Sequence, residues 1–373
     1  MNDDAIKPIV MPKWGLAMQE GMVARWLVEE GAEIRAGDEI LDIETSKIAN
    51  VYESPVSGRL RRRVVGEGET VPVGALLGVV ADSSVSDADL DTYVAKFQEE
   101  FAAHAAEAAE AVPEPETIEA GGRRIRHLAM GEGEGPPVIF IHGFGGDLAN
   151  WQFNQEALAE TRQTYALDLP GHGGSIKEVG AGDVPALARA VLDFMDAKGI
   201  EQAHLVGHSI GGAIALWLAL EQPERVASAT LICPAGLGPD INMDYIEGFM
   251  AAKRRKQLQP VLEMLVADAS MVSREMIEDV LKMKRLDGVQ EALNRIIGAV
   301  FPGGRQALQL KDRIGQAKVP IQIIWGEQDR IVPAAHAEGL PDNVPVHRLD
   351  AGHMVHLERA AEVNERLKAF LTG

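Results

Sequence analysis

Two hydrophobic patterns divide the chain. In residues 1–82, short apolar runs alternate with polar positions and are separated by glycines, which is typical of small antiparallel sheets. From Ile125 onward, longer apolar runs alternate with helix-like segments; these runs are PVIFIHG, TYALDL, AHLVGHS, SATLICP and PIQIIWG. Runs that are apolar on both faces predict a mostly parallel sheet with helices on both sides. The sequence therefore predicts a multidomain protein, with an all-β unit at 1–82 and an α/β unit at 121–373.

The first pattern contains an internal repeat. A shift of 37 residues aligns GMVARWLVEEGAEIRAGDEILDI with GRLRRRVVGEGETVPVGALLGVV without a gap. Such a repeat predicts two similar small sheets about an approximate twofold axis, which together form a flattened β-barrel. Lys47 lies four residues beyond the first copy, and its equivalent in the second copy is position 84, where the chain leaves the unit. The repeat therefore predicts that Lys47 projects from a hairpin at the opposite end.

An acidic connector is predicted between the two units, at residues 83–120. Residues 81–120 contain eleven acidic side chains and one basic one, which is half of the net charge of −20. This composition is typical of a solvated segment. Tyr93, Phe97 and Phe101 recur at helical spacing and predict a helix over 87–111 that packs against a neighbouring domain.

The second pattern is interrupted by a long helical insertion. Between about 236 and 316 the sequence is helix-like only, which predicts a helical cap inserted into the α/β unit. The cap contains the basic run Lys253, Arg254, Arg255 and Lys256. Charge runs on helices are usually solvated faces, but this one is also a candidate for binding the phosphates of a nucleotide.

Composition excludes several classes of function. No basic face is present that would neutralise nucleic-acid phosphates. The longest apolar run, at 213–220, is shorter than the roughly 20 residues of a membrane span. The acidic start lacks the features of a signal peptide, and Cys233 has no second cysteine with which to form a disulfide. We therefore expect a cytoplasmic protein that binds neither nucleic acid nor membrane.

The stretch VGHSIGG carries the strongest chemical signal. It follows a predicted strand and precedes a predicted helix, which is the context in which a G-x-S-x-G sequence forms a sharp turn. Gly207 and Gly211 permit that turn and leave Ser209 exposed above the sheet as a nucleophile. The competing interpretation is an ordinary glycine-rich turn.

A serine nucleophile needs a base and a group that orients the base. Asp329 follows the penultimate predicted strand and His353 follows the last, which is the chain order expected for this class. His356 and His347 are alternative bases, and Asp168 is an alternative acid.

An oxyanion hole is predicted beside the nucleophile. The sequence IHGFGGDLANW follows the first long apolar strand, and its glycines free backbone amides. The N–H groups of Phe144 and Ile210 are the expected donors, whereas the side chain of His142 is expected to be structural. No residue pattern calls for a metal.

These motifs carry two resemblances. Residues 121–373 resemble the α/β-hydrolase family, with elbow, acid, histidine and oxyanion loop in order. Residues 5–82 resemble a lipoyl domain through MPKWGLAMQEGMVARWLVEEG, GDEIL, IETSK and SPVSG. In that family the hairpin lysine, here Lys47, carries lipoic acid in an amide bond. Biotin carriers instead look like A-M-K-M at this point, whereas this chain has Ser46 and Ile48, and Ser46 replaces the aspartate common in lipoyl domains.

Together, the two units resemble the dihydrolipoamide acetyltransferase component of bacterial acetoin dehydrogenase complexes. The resemblance implies transfer of an acetyl group from a dihydrolipoyl thioester to coenzyme A through an acetyl-Ser209 intermediate. It also implies three partners: a thiamine diphosphate-dependent acetoin dehydrogenase component, a dihydrolipoamide dehydrogenase, and a lipoate ligase or lipoyl transferase. Two other hypotheses stay open. In the first, the chain is a hydrolase of an ester, thioester or carbon–carbon bond with the lipoyl domain as a tether. In the second, it is a non-catalytic hub.

Overall fold

The computed structural model describes residues 6–12, 20–44, 49–110 and 113–371 and divides the chain into two compact units, 1–112 and 113–373. The prediction for Lys47 concerns residues 45–48 and lies outside the described residues.

Two four-stranded antiparallel sheets form the first unit. Their strands are β1 (Ile6–Val10), β2 (Glu20–Trp26), β3 (Glu33–Ile34), β4 (Glu39–Glu44), β5 (Ala49–Glu53), β6 (Gly58–Arg63), β7 (Thr70–Pro72) and β8 (Leu76–Ala81). One sheet has the order β1-β8-β6-β3 and the other β5-β4-β2-β7. Exchanging β1 with β5, β2 with β6, β3 with β7 and β4 with β8 converts one order into the other. The two sheets are therefore related by a pseudo-twofold axis, as the repeat predicted.

The repeat is visible in the backbone as well as in the strand order. A shift of 37 residues carries β2 onto β6, β3 onto β7 and β4 onto β8. Gly37 and Gly74 are equivalent by this shift and have φ values of +91° and +83°. Residues with a side chain rarely adopt a positive φ, so glycine is favoured at both positions. The similar φ values indicate two turns of the same shape.

A long helix packs against the first unit. Helix α1 (Asp87–Glu110) buries Leu90 against Val79, and Tyr93 and Phe97 pack at the margin of the same cluster. Two ion pairs join the helix to β6, namely Arg61–Asp87 at 3.0 Å and Arg62–Asp91 at 2.6 Å. The helix predicted to pack against a neighbouring domain through its aromatic residues thus packs against the first unit.

An eight-stranded sheet forms the centre of the second unit. Its strands are β9 (Glu116–Ala120), β10 (Arg123–Met130), β11 (Val138–Ile141), β12 (Thr164–Leu167), β13 (Ala203–His208), β14 (Val226–Ile232), β15 (Ile321–Gly326) and β16 (Val346–Leu349). Their order is β16-β15-β14-β13-β11-β12-β10-β9, and the strands from β11 to β16 are parallel. The predicted mostly parallel sheet is confirmed.

One edge of this sheet differs from the prediction. Residues 116–120, which the sequence assigns to the connector, form the edge strand β9 and pair antiparallel with β10. Both strands carry many charged residues and are only partly buried. An edge strand needs little apolar surface, so its sequence resembles that of a polar connector.

Helices cover the sheet and form a cap. They are α2 (Gln152–Ala159), α3 (Val184–Lys198), α4 (Ile210–Glu221), α5 (Met243–Ala251), α6 (Arg255–Leu262), α7 (Arg274–Lys284), α8 (Val289–Val300), α9 (Val355–Glu358) and α10 (Ala360–Leu371). Helices α5–α8 lie between β14 and β15, where a helical insertion was predicted. None of the helices in the described ranges is long and apolar enough to cross a membrane.

Candidate active site

Ser209 lies in a sharp turn between β13 and α4. Its backbone has φ +55° and ψ −117°, a conformation that residues with side chains rarely adopt. A Cβ atom on Gly207 would lie 2.1 Å from the carbonyl oxygen of Gly211, and one on Gly211 would lie 2.1 Å from that of Ile141. Only glycine fits at both positions, which is the physical reason for the G-x-S-x-G pattern here.

His353 is hydrogen-bonded to Asp329. The distance from His353 Nδ1 to Asp329 Oδ2 is 2.8 Å, and both side chains are buried. An ionised carboxylate only accepts hydrogen bonds, so Nδ1 carries the proton and Nε2 remains as a base. The two residues follow β15 and β16, whose carboxyl ends lie at the same edge of the sheet as that of β13.

Asp329 receives three further hydrogen bonds. Its Oδ2 accepts from the indole N–H of Trp325 at 3.0 Å. Its Oδ1 accepts from the backbone N–H groups of Ile331 at 2.8 Å and Val332 at 3.0 Å. Both carboxylate oxygens are therefore fixed, and so is the orientation of the His353 ring.

Ser209 and His353 line one cavity beneath the cap. Much of its wall comes from apolar side chains of the cap, such as Tyr245, Phe249, Leu262, Met276, Val280 and Phe301. Among the described residues that line the cavity, no side chain is Lys, Arg, Asp or Glu. The cavity therefore suits an acyl group or a hydrocarbon chain, and these residues provide no Lys or Arg to neutralise a phosphate group.

The loop after β11 lies directly against the nucleophile. A Cβ atom on Gly143 would lie only 3.0 Å from Ser209 Cβ. In the described part of the chain, the N–H of Phe144 donates to no other protein group. Ile210 is the first residue of α4, so its N–H has no acceptor within the helix. Within the described residues, both N–H groups are thus without a protein acceptor, and both belong to backbone that adjoins Ser209.

Two buried histidines hold this loop in place. His142 donates from Nδ1 to the carbonyl oxygen of Gly143 at 2.7 Å and accepts at Nε2 from the N–H of Leu169 at 3.0 Å. His172 Nε2 accepts from the N–H of Gly145 at 3.2 Å. Burial lowers the pKa of both imidazoles below the usual value, so both rings are neutral. The position of His142 agrees with the structural role predicted for it.

His208 is a site residue that the sequence reasoning missed. Its Nε2 donates to the carbonyl oxygen of His353 at 3.0 Å, and the two ring centroids are 4.5 Å apart. Burial lowers the pKa of His208 well below 6.5, so the ring is neutral. The sequence could have indicated its role, because His208 directly precedes Ser209 and must therefore lie beside the nucleophile. Its hydrogen bond orients the loop that carries His353.

The alternative acid lies elsewhere. Asp168 accepts from the N–H groups of Leu148 at 2.8 Å and Gly174 at 2.7 Å, and from the guanidinium of Arg126 at 3.2 Å. These contacts tie the chain after the oxyanion loop to the loop after β12.

The alternative bases also have other environments. His356 is fully buried, with ring centroids 4.7 Å from Trp151 and 4.6 Å from His208. Neither of its ring nitrogens has a hydrogen-bond partner among the described residues, and burial lowers its pKa to about 3. His347 Nδ1 faces Arg366 at 3.1 Å.

Three described residues, Cys233, Asp329 and His353, have side chains of the types that bind metals. Their potential ligand atoms lie within 4.8 Å of one another. Burial raises the pKa of the Cys233 thiol well above its usual value, so the thiolate that a metal prefers is disfavoured. The Asp329 carboxylate is fully occupied by the four donors described above. This arrangement favours hydrogen bonding over metal binding.

In the first unit, two paired strands flank the segment that contains Lys47. Strands β4 and β5 are antiparallel neighbours, and their pairing extends to Glu44 opposite Ala49. The four residues that connect these paired ends include Lys47.

Comparison with known proteins covers both units. Residues 136–360 match a family model described as alpha/beta hydrolase fold, and residues 7–80 match one described as biotin-requiring enzyme. A meta-cleavage product hydrolase from Pseudomonas fluorescens is similar in structure, with a TM-score of 0.63 and 27% identity, covering 69% of this chain and 97% of that one.

Two relatives are similar over nearly the whole length. Both are named dihydrolipoyllysine-residue acetyltransferase component of acetoin cleaving system. The protein from Cupriavidus necator is 48% identical over 99% of this chain and 98% of its own, and that from Pseudomonas putida is 47% identical over 98% of each. With a biotin- or lipoyl-type unit before an α/β-hydrolase unit, the chain therefore belongs to the family of dihydrolipoyllysine-residue acetyltransferase components of acetoin cleaving systems.

Proposed function

We propose that this chain is an acyltransferase that moves an acetyl group from a dihydrolipoyl thioester to coenzyme A in acetoin catabolism. The observation that carries the proposal is the buried Asp329–His353 pair, whose histidine lines an apolar cavity together with Ser209, in a chain that also has a lipoyl-type unit. The full-length similarity to acetyltransferase components supports this reaction over simple hydrolysis.

Lys47 is the proposed attachment point for lipoic acid. An amide bond would neutralise this lysine, so the modified side chain would need no counter-charge. The lipoyl group supplies a pair of sulfur atoms that carry the acetyl group as a thioester.

The first half of the reaction places the acetyl group on Ser209. His353 Nε2 removes the proton from the Ser209 hydroxyl, and the oxygen attacks the thioester carbonyl. The N–H groups of Phe144 and Ile210 stabilise the negative charge on the carbonyl oxygen. The intermediate then collapses, the carbon–sulfur bond breaks, and His353 returns the proton to the leaving thiol. An acetyl ester of Ser209 remains.

The second half transfers that acetyl group to coenzyme A. A thiol with a pKa near 8.5 is only a few per cent ionised at neutral pH, so His353 removes its proton as the sulfur attacks the ester. The same two N–H groups stabilise the second oxyanion. His353 then protonates the departing Ser209 oxygen and restores the initial state.

Water must be kept out during the second half, because water in place of the thiol would release acetate. Phe249 of the cap packs over the oxyanion loop, where its ring centroid is 5.5 Å from that of Phe144. We infer that this apolar cover favours transfer over hydrolysis.

The proposal assigns partners as well. A thiamine diphosphate-dependent component loads the acetyl group, and a dihydrolipoamide dehydrogenase reoxidises the dithiol. A lipoate ligase or lipoyl transferase attaches the carrier, and all of these reactions occur in the cytoplasm.

The test supplies acetyl-dihydrolipoamide with and without coenzyme A and measures acetyl-coenzyme A and acetate. We expect acetyl-coenzyme A as the main product, and a loss of roughly 10³-fold or more for Ser209→Ala. Ser270→Ala, an exposed serine of the cap, is the matched control. Fast acetate release without coenzyme A would indicate a hydrolase, and normal transfer by Ser209→Ala would indicate direct exchange between thiols.

A further inference from the structure

A basic turn joins two helices of the cap. Lys253, Arg254, Arg255 and Lys256 are all exposed, and we call them the basic turn. Within the described residues, none of the four has a carboxylate oxygen within 4.0 Å. Glu278 is close enough to interact with the charge of Arg255, but it is already paired with Arg274 at 2.8 Å. In a chain with a net charge of −20, this leaves a local cluster of cations available to a ligand.

The basic turn is held in a defined position. Lys284, at the end of α7, is 7% exposed and lies near the carboxyl end of α5. Its ammonium donates to the carbonyl oxygens of Phe249 and, at 2.6 Å, of Ala252. The N–H of Lys253, the next residue, donates to the side chain of Gln257 in α6 at 3.1 Å. The backbone that leads into the four cations is therefore anchored to both α7 and α6.

The basic turn is also close to the cavity that holds Ser209. Phe249 and Leu262 both line that cavity, and they lie on either side of the basic turn. Leu262 is seven residues beyond Arg255 in the same helix, which corresponds to about 10 Å along its axis. Arg255 is thus about two helical turns along α6 from a residue of the cavity wall, and all four cations are exposed.

Coenzyme A has chemistry that matches this separation. Its thiol is at one end of a long pantetheine arm, and its diphosphate and ribose phosphate are at the other. The cavity is lined by apolar groups and offers no Lys or Arg from the described residues that line it. A ligand of this kind can place its thiol in the cavity only if its phosphates are neutralised outside.

We propose that the basic turn binds the phosphate groups of coenzyme A while the pantetheine arm enters the cavity beneath the cap. This inference rests on the proposed function, because it assigns a binding site to the acceptor of that reaction. Lysine and arginine pair with phosphate through charge-assisted hydrogen bonds.

The test compares two acceptors that differ in their phosphates. Initial rates are measured with acetyl-dihydrolipoamide as donor and either coenzyme A or pantetheine, which has the same thiol and no phosphate. In the variant Arg254→Ala/Lys256→Ala we expect the KM for coenzyme A to rise about tenfold or more. The KM for pantetheine and both kcat values should stay unchanged.

A matched control removes two cations at a distance. Lys311→Ala/Lys318→Ala removes the same number of positive charges as the basic-turn variant. These two lysines flank Arg313, which pairs at 2.8 Å with Glu221, the last residue of α4. Glu221 lies about 17 Å along α4 from Ile210, the residue that follows Ser209. This variant should keep the KM of the unmodified chain for both acceptors, and thermal unfolding of both variants should match that of the unmodified chain.

The outcomes separate this inference from the proposed function. An unchanged KM for coenzyme A, or an equal rise for both acceptors, would overturn the phosphate site and leave the acetyl transfer intact. Acetate as the only product from the unmodified chain would overturn the proposed function instead. Calorimetric titration with coenzyme A would then decide the phosphate site by itself, since the basic-turn variant must bind about tenfold or more weakly than the control.

Discussion

Two segments carry the proposed chemistry, namely the turn around Ser209 and the connection that contains Lys47. The turn at 207–211 is packed so closely that a Cβ atom at either end would lie 2.1 Å from a carbonyl oxygen. The connection at 45–48 joins β4 to β5, two strands that are held by their own pairing. We therefore expect the proposed role of Ser209 to depend on close packing of its turn, whereas the proposed role of Lys47 depends on its amine and on the paired strands that flank it. Substitutions should therefore have different consequences at the two turns.

The largest effect is expected at the carrier turn. Lys47→Arg keeps the charge but removes the primary amine that forms the amide with lipoic acid. We expect complete loss of the modification by mass spectrometry and loss of acetyl transfer from the loaded carrier. Transfer from free acetyl-dihydrolipoamide and the unfolding temperature should both be unchanged. Lys7→Arg, on β1, is the control and should be modified normally. A lipoylated Lys47→Arg protein would show that another lysine is used.

The second effect concerns the nucleophile turn. Gly211→Ala places a methyl group against the carbonyl oxygen of Ile141, so the turn must distort. We expect a loss of about 3 kcal/mol in the free energy of unfolding, the upper part of the range for overpacking, together with loss of most transfer activity. Denaturant unfolding and initial rates measure the two effects.

Gly298→Ala is the matched control for this variant. Gly298 lies inside α8, and a Cβ atom there would meet nothing within 4 Å. Alanine favours a helix over glycine, so this variant should gain about 0.5–1 kcal/mol. If Gly211→Ala and Gly298→Ala changed the free energy of unfolding and the activity equally, the close packing of the 207–211 turn would not be the cause of the effect.

The third effect is smaller and depends on pH. His356 lies fully buried behind His208, and burial lowers its pKa to about 3 from an unfolded value of 6.5. Below pH 6.5 the unfolded chain binds a proton that the folded chain does not, so stability falls as the pH falls towards 3. At pH 5 the loss from this histidine is about 2 kcal/mol, since each pH unit contributes about 1.4 kcal/mol.

The measurement is the free energy of unfolding at pH 7 and pH 5. His356→Phe keeps an aromatic ring against Trp151 and cannot titrate, so the difference between the two pH values should shrink by about 2 kcal/mol. His347→Phe, at a partly exposed position, should shrink it less. An unchanged difference in His356→Phe would show that this ring is not kept neutral by the fold.

Features with a local physical cause could be predicted from the sequence. The elbow follows from two glycines around Ser209, and the two-sheet unit follows from glycines spaced by 37 residues. In both cases the backbone geometry is set by residues that are neighbours in sequence. The placement of Asp329 and His353 could be predicted because each follows a strand of a parallel sheet, whose carboxyl ends share one edge.

Features that depend on tertiary contacts were less accessible. The β9–β10 hairpin was missed because its charged strands lie at an edge and bury few apolar groups. His208 was missed because its bond to the carbonyl oxygen of His353 joins residues 145 positions apart. The anchoring of the basic turn by Lys284 likewise joins residues far apart in sequence and carries no local pattern.

The four hydrogen bonds to Asp329 have a consequence for the energetics of the reaction. In the proposed mechanism, positive charge develops on the His353 ring each time its Nε2 takes up a proton. The carboxylate beside it is already held by an indole N–H and two backbone N–H groups, so it does not rotate or recruit solvent when that charge appears. The reorganisation free energy of this step is therefore small, because the surrounding dipoles are oriented before the substrate arrives.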